Sequence, residues 1–157
     1  MMTEKQKVAL IARVLRGPGR VSRIFSLLSD EQLGASLAPG EWSPAEVLAH
    51  LRAADDIQAM RAYMILTRDE PPLPAFDERV WSQVAGYLTL HPRASLDLYF
   101  RRRIELGYAL RAVNAADFDR AGMHEALGRL TLRALLENLA EHEEEHVAQL
   151  EAAQAGA

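Results

Sequence analysis

Apolar positions recur at helical spacing over four long stretches of the chain, with almost no period-two alternation anywhere. The first predicted helix runs from about Glu4 to Leu28 and is expected to break at the Gly-Pro-Gly of residues 17–19. Residues 29–33, Ser-Asp-Glu-Gln-Leu, read as a short extra turn. The second helix has the clearest start: Ser43 as N-cap, Pro44 at the first helical position and Glu46 at the third complete a capping box. Trp42 and Val47 flank that cap at hydrophobic-staple positions, and the helix is expected to reach Thr67. A connection follows to about Arg93. Its prolines forbid a regular helix at its start, but a short helix near Asp77–Tyr87 fits. The third helix spans about Ala94–Val113. After a second link, the fourth runs from a Thr131 cap to about Gln154. These elements predict an all-α four-helix bundle.

The last helix carries the candidate chemistry. At ~100° per residue, Leu132, Leu135, Leu136, Leu139 and Leu150 form one stripe. His142, His146 and Glu143 fall on it, whereas Glu141, Glu144 and Glu145 lie off it and read as a solvated face. Two imidazoles at i and i+4 can converge on one metal ion or sit as satisfied core histidines. His50, on the second helix, is the candidate third ligand. It lies roughly 10 Å from the Ser43 end, and His146 lies at a similar distance from the end of its own helix. The levels coincide only if those helices are antiparallel, so the reading predicts an up-down-down-up bundle with residues 67–93 as a long crossover between helices two and three.

Other metal chemistries fit less well. His142-Glu143-x-x-His146 matches the zincin pattern, but Gln149 and Ala152 stand where a metzincin places glycine and histidine. A di-iron bundle needs a second Glu-x-x-His, and helix two has Ala49 in the histidine's place. Arg103 lies mid-stripe on helix three and needs a partner: a structural ion pair with Glu143 or Asp55, or an anionic group of a substrate. Asp55 and Glu143 are also candidates for orienting a ligating imidazole, and Glu143 for acting as a base. His124 reads chiefly as a loop-fixing residue.

Composition narrows the picture. The 157 residues suit one domain, 1–157, and 49% apolar with 25% charged residues marks a water-soluble globular chain. A net charge of −4 disfavours nucleic acid, and the Arg101–Arg103 cluster is too small to change that. No run is long enough to span a membrane, the N-terminus lacks a signal-peptide pattern, and a cytoplasmic location is expected. With no cysteine, the chain has no disulfide, no thiolate ligand and no thiol nucleophile of its own.

Gly-Glu-Trp-Ser-Pro-Ala-Glu-Val-Leu-Ala-His-Leu at 40–51, followed by the helix containing His142, His146 and Gln149, resembles the DinB/YfiT-like superfamily. The resemblance spans essentially the whole chain. It implies a homodimeric four-helix bundle with a divalent ion (zinc, nickel, manganese or iron) on His50, His142 and His146, acting on a small molecule. It also implies a choice of activities. The leading one is a transferase using a low-molecular-weight thiol such as bacillithiol, mycothiol or glutathione. A metal-dependent hydrolase is the alternative, and a non-catalytic stress-response module the third.

Overall fold

A computed structural model describes residues 1–155. Four long helices form the bundle: α1 (Glu4–Ser26), α3 (Pro44–Thr67), α5 (Pro92–Ala112) and α6 (Leu132–Ala155). Two short ones, α2 (Asp30–Gly34) and α4 (Glu78–Val84), lie in the connections. Caps fix the starts. Thr3, Ser29 and Ser43 each close a capping box with a residue three positions on, satisfying amides that the first turn leaves free. Thr131 Oγ accepts from Ala134 N at the start of α6. Helix α5 begins at Pro92, two residues before the predicted start, with His91 as its cap. The predicted 77–87 helix divides into α4, capped by Asp77, and a 3-10 turn at Tyr87–Thr89.

The Gly-Pro-Gly does not break α1, contrary to the sequence expectation. Proline leaves the carbonyl four residues back without its helical donor. That carbonyl is Val14 O, and the Arg103 guanidinium from α5 donates to it. A cation from a neighbouring helix thus replaces the missing amide.

The near absence of strands also needs correction. Three short ones, β1 (Pro72–Leu73), β2 (Ala121–His124) and β3 (Gly128–Thr131), form a sheet in the order β1-β2-β3. β1 pairs parallel with β2, and β2 antiparallel with β3. Elements of two to four residues are too short to show a period in sequence. The sheet joins the α3–α5 connection to the α5–α6 connection. Gly122 is required there, because a Cβ would lie 2.8 Å from Pro71 O and 2.7 Å from Leu73 Cγ.

The core has two apolar clusters. One gathers Leu10, Val14, Ala62, Leu106, Leu110, Leu135 and Leu139 with their neighbours. The other gathers Val21, Phe25, Val47, Leu51, Val147 and Leu150 around Tyr99. All five leucines of the predicted α6 stripe are no more than 2% exposed. Truncating such a side chain typically costs about 2–5 kcal/mol. Between the clusters along each long helix lies a polar layer: Gly17 and Pro18 on α1, Asp55 on α3, Arg103 on α5 and Glu143 on α6. Among the described residues, no helix is long and apolar enough to cross a membrane.

Candidate metal centre

His50 reaches the centre from the second turn of α3, and His142 and His146 reach it from successive turns of α6. Ring centroids stand 4.9 Å apart for His50–His142, 4.8 Å for His50–His146 and 4.7 Å for His142–His146. One ring nitrogen from each lies within 4.8 Å of the other two. His50 Nε2 and His142 Nε2 are 2.9 Å apart. Two neutral imidazole lone pairs at that distance repel unless a proton or a cation lies between them. His146 Nδ1 pairs with Gln149 Oε1 at 3.0 Å. Because an amide oxygen only accepts, this fixes the proton on Nδ1 and leaves Nε2 with a free lone pair. Burial, then the neighbouring rings of His142 and His146, push His50 down to about 4. Burial and His146 also lower His142.

Trp42 walls the site, its ring 5.0 Å from that of His50 and stacked 6.1 Å from that of His146. The residue expected as a helix staple therefore also shields the imidazoles. Glu78, at the start of α4, was not singled out by sequence reasoning. Its Oε2 lies 3.3 Å from His50 Nε2 and 3.9 Å from His142 Nε2. Burial raises its pKa, and Arg61 partly opposes the shift. No periodic signal could have found it, because only the folding of a proline-rich connection brings it to the histidines. A cleft of about 110 Å³ opens beside His50, bounded by Trp42, Glu46, Arg79 and Ser82 among others.

Arg103, Asp55 and Glu143 form a separate buried group, each 1% exposed. Arg103 Nε donates to Asp55 Oδ1 at 2.7 Å, and Nη1 donates to Glu143 Oε2 at 2.9 Å and to Val14 O. Nη2 reaches Tyr99 OH at 3.3 Å, and the Tyr99 hydroxyl in turn donates to Glu143. Every nitrogen of the guanidinium is thus engaged within the protein. Arg103 pairs with both carboxylates proposed as alternatives, and Asp55 and Glu143 face the guanidinium, not an imidazole. Burial raises the pKa of both carboxyls, and Arg103 opposes that. Burial also works against the arginine's charge, but Tyr99, Asp55 and Glu143 outweigh it.

The remaining candidates fall elsewhere. His124 Nδ1 accepts from Ala126 N and Leu127 N, fixing the β2–β3 turn. Glu144, expected to be solvated, makes a two-point contact with Arg13 on α1, at 2.9 and 2.6 Å.

A four-helix bundle that gathers three imidazoles from α3 and α6 beneath a tryptophan defines a histidine-centred class of helical bundle. The chain belongs to the DinB superfamily, whose model matches residues 14–150. It is 30% identical over 141 residues to a Geobacillus kaustophilus protein, covering 89% of this chain and 79% of that one. It is 24% identical over 150 residues to Bacillus subtilis YfiT, covering 95% and 84%. Both relatives are provisionally named metal-dependent hydrolases. The solved structure of Bacillus subtilis YfiT, described as an unusual four-helix bundle, superposes with a TM-score of 0.87 at 23% identity, over 99% of this chain and 89% of that one. A mycothiol-dependent maleylpyruvate isomerase superposes with a TM-score of 0.74 at 20% identity, over 92% of this chain and 60% of that one. These two likenesses are of fold.

Proposed function

We propose that the protein holds one divalent transition ion on His50, His142 and His146 and acts as a metal-dependent transferase for which a low-molecular-weight thiol is the nucleophile. The observation that carries this reading is the convergence of three imidazole nitrogens in a chain without cysteine. The donors fit the ion: two ring nitrogens face each other at 2.9 Å, and a third is left free by the Gln149 contact. Three imidazoles without a thiolate suit zinc, nickel, manganese or iron. An ion so held keeps open positions and brings a bound water or thiol toward ionisation near neutral pH.

The chain's own residues do the rest. Gln149 holds the His146 ring in one orientation, and Trp42 excludes water from one side. The cleft beside His50 admits part of a small molecule, and Arg79 on its wall offers a positive charge to a carboxylate of the thiol or substrate. Arg103 and Glu143 act in this reading as a brace beneath the site.

A hydrolase is the second reading, favoured by the provisional names of the relatives. The deciding experiment incubates metal-loaded protein with a panel of electrophiles and with bacillithiol, mycothiol, glutathione or no thiol. Turnover requiring both metal and thiol supports the transferase, and turnover with metal alone supports the hydrolase. Fully loaded protein that turns over nothing leaves a non-catalytic metal-binding module.

The same reading takes residues 1–157 as one domain with an up-down-down-up course. Arg13–Glu144 and Arg20–Glu151 advance together along α1 and α6, and Arg52–Ser95 and Arg102–Asp56 along α3 and α5. Lys7–Val113 O and Arg93–Phe25 O run in opposite senses along α1 and α5. A crystal structure with His50 and His146 at opposite ends of the bundle would refute this course. Family likeness also implies a homodimer, which sedimentation showing only monomer would refute.

A further inference from the structure

The geometry points to Glu78 as a fourth protein ligand of the ion, delivered to the three histidines by the connection between α3 and α5. This inference rests on the three-histidine reading and adds to it a donor of different chemistry from a different part of the chain.

Four donor atoms on one ion at about 2.0–2.2 Å stand about 2.8–3.6 Å from one another, depending on coordination geometry. Here the His50 and His142 nitrogens are 2.9 Å apart, and Glu78 Oε2 is 3.3 Å and 3.9 Å from them. These three spacings are close to the edges of a coordination polyhedron, whereas Glu78 lies outside the 4.8 Å grouping that includes His146, so the carboxylate must swing toward that ring to complete the set. The carboxylate lies against the His50–His142 edge of the cluster.

Charge supports the same assignment. The Glu78 side chain is only 28% exposed, and its contacts within ion-pair distance, among the described residues, are these two rings. Among the described residues no lysine or arginine lies within that distance, and Arg61 acts on the carboxylate only from further away. A carboxylate largely withdrawn from water is costly unless a cation joins it. A divalent ion supplies that charge, and the four donors leave the assembly with a net charge of +1.

The connection is anchored well enough to hold a ligand. Asp77 Oδ1 accepts from Arg79 N and Val80 N, fixing the first turn of α4. Arg61 donates to Pro74 O at 2.6 Å, Ala75 N donates to Glu125 at 2.8 Å, and β1 pairs with β2. On the far side, Tyr87 OH donates to Asp56 on α3, and the Arg52 guanidinium lies 3.9 Å over the Tyr87 ring. The crossover thus closes the site as well as linking two helices. Three nitrogens and one hard oxygen suit an ion that accepts six ligands, leaving two positions for exchange.

The test is Co(II) titration of chelator-stripped protein, read as the dissociation constant by competition and as the visible spectrum of the bound ion. Wild type, Glu78→Gln, Glu78→Ala and the His142→Ala/His146→Ala pair are compared, and thermal unfolding of each metal-free chain verifies folding. Wild type should bind one ion per chain. Loss of an outer partner of a metal site costs ~10–100-fold, so loss of a direct ligand should weaken both Glu78 variants about 100-fold or more and shift the cobalt bands. Binding within threefold of wild type overturns the proposal. So does weakened binding with unchanged bands, because charge without coordination then suffices. If the histidine pair variant binds like wild type, or wild type binds nothing, the three-histidine reading falls and this one with it.

Discussion

Among the described residues, Arg103 sits at the centre of a fully buried charged group. Its guanidinium donates to both Asp55 and Glu143 while substituting for the amide that Pro18 lacks. Arg103→Leu should leave Asp55 and Val14 O without this donor and Glu143 with only the Tyr99 hydroxyl, and destabilise the protein by about 3–5 kcal/mol, measured as a shift in the urea unfolding midpoint. Arg103→Lys should recover only part of this, because a single ammonium cannot reproduce a planar fork that reaches four groups. Gly17 is the second residue whose identity is fixed here. A Cβ on it would fall 1.8 Å from Glu143 Cδ, so the carboxylate can reach the arginine only past a bare backbone. In an exposed helix Gly→Ala stabilises by up to about 1 kcal/mol. Gly17→Ala should instead lower the unfolding midpoint, by an amount comparable to a core overpacking of about 1–3 kcal/mol.

At the scale of elements, caps were legible in the sequence and contacts between connections were not. Ser43, Pro44 and Glu46 fixed the start of α3 from three letters, because capping is local chemistry. The stripe that aligned His142 and His146 with buried leucines was equally plain, since helical periodicity is also local. The pairing of β1 with β2 and the anchoring of the connection that carries Glu78 join segments some 50 residues apart, and no short-range pattern encodes that. The reading of Gly-Pro-Gly as a break failed for a related reason: the donor that rescues Val14 O lies on another helix. Arg93 shows how a single residue ties elements together. It donates to Phe25 O and Leu28 O at the end of α1 and to Asp30 at the start of α2. Arg93→Ala should cost about 1–2 kcal/mol through the two carbonyls. Its hydrogen bond also lowers the Asp30 pKa. A depressed folded-state pKa means that this pair's contribution is present above the ordinary aspartate range and fades as the pH falls through the folded value. NMR titration should therefore find Asp30 rising toward its ordinary value in the variant.

At the scale of the whole molecule, the proposed ion binds where α3, α4 and α6 meet, so it should act on the stability of the entire bundle. An ion at 100 times its dissociation constant adds about 2.7 kcal/mol to folding, or about 5–10 °C in melting temperature for a chain of this size. Calorimetry with and without chelator should show that difference, and the His142→Ala/His146→Ala variant should not. The proline in α1 has a consequence for assembly. The partner of Val14 O lies 89 residues further along the chain. Until that stretch has been synthesised and docked, the N-terminal segment has an unmet acceptor at its midpoint and a ring where a turn should close. A peptide of residues 4–26 alone should be far less helical by circular dichroism than the same peptide with Pro18→Ala. The first helix in the sequence is thus among the last able to reach its final form, and a nascent chain stopped short of Arg103 would expose the apolar face of a segment that cannot yet fold.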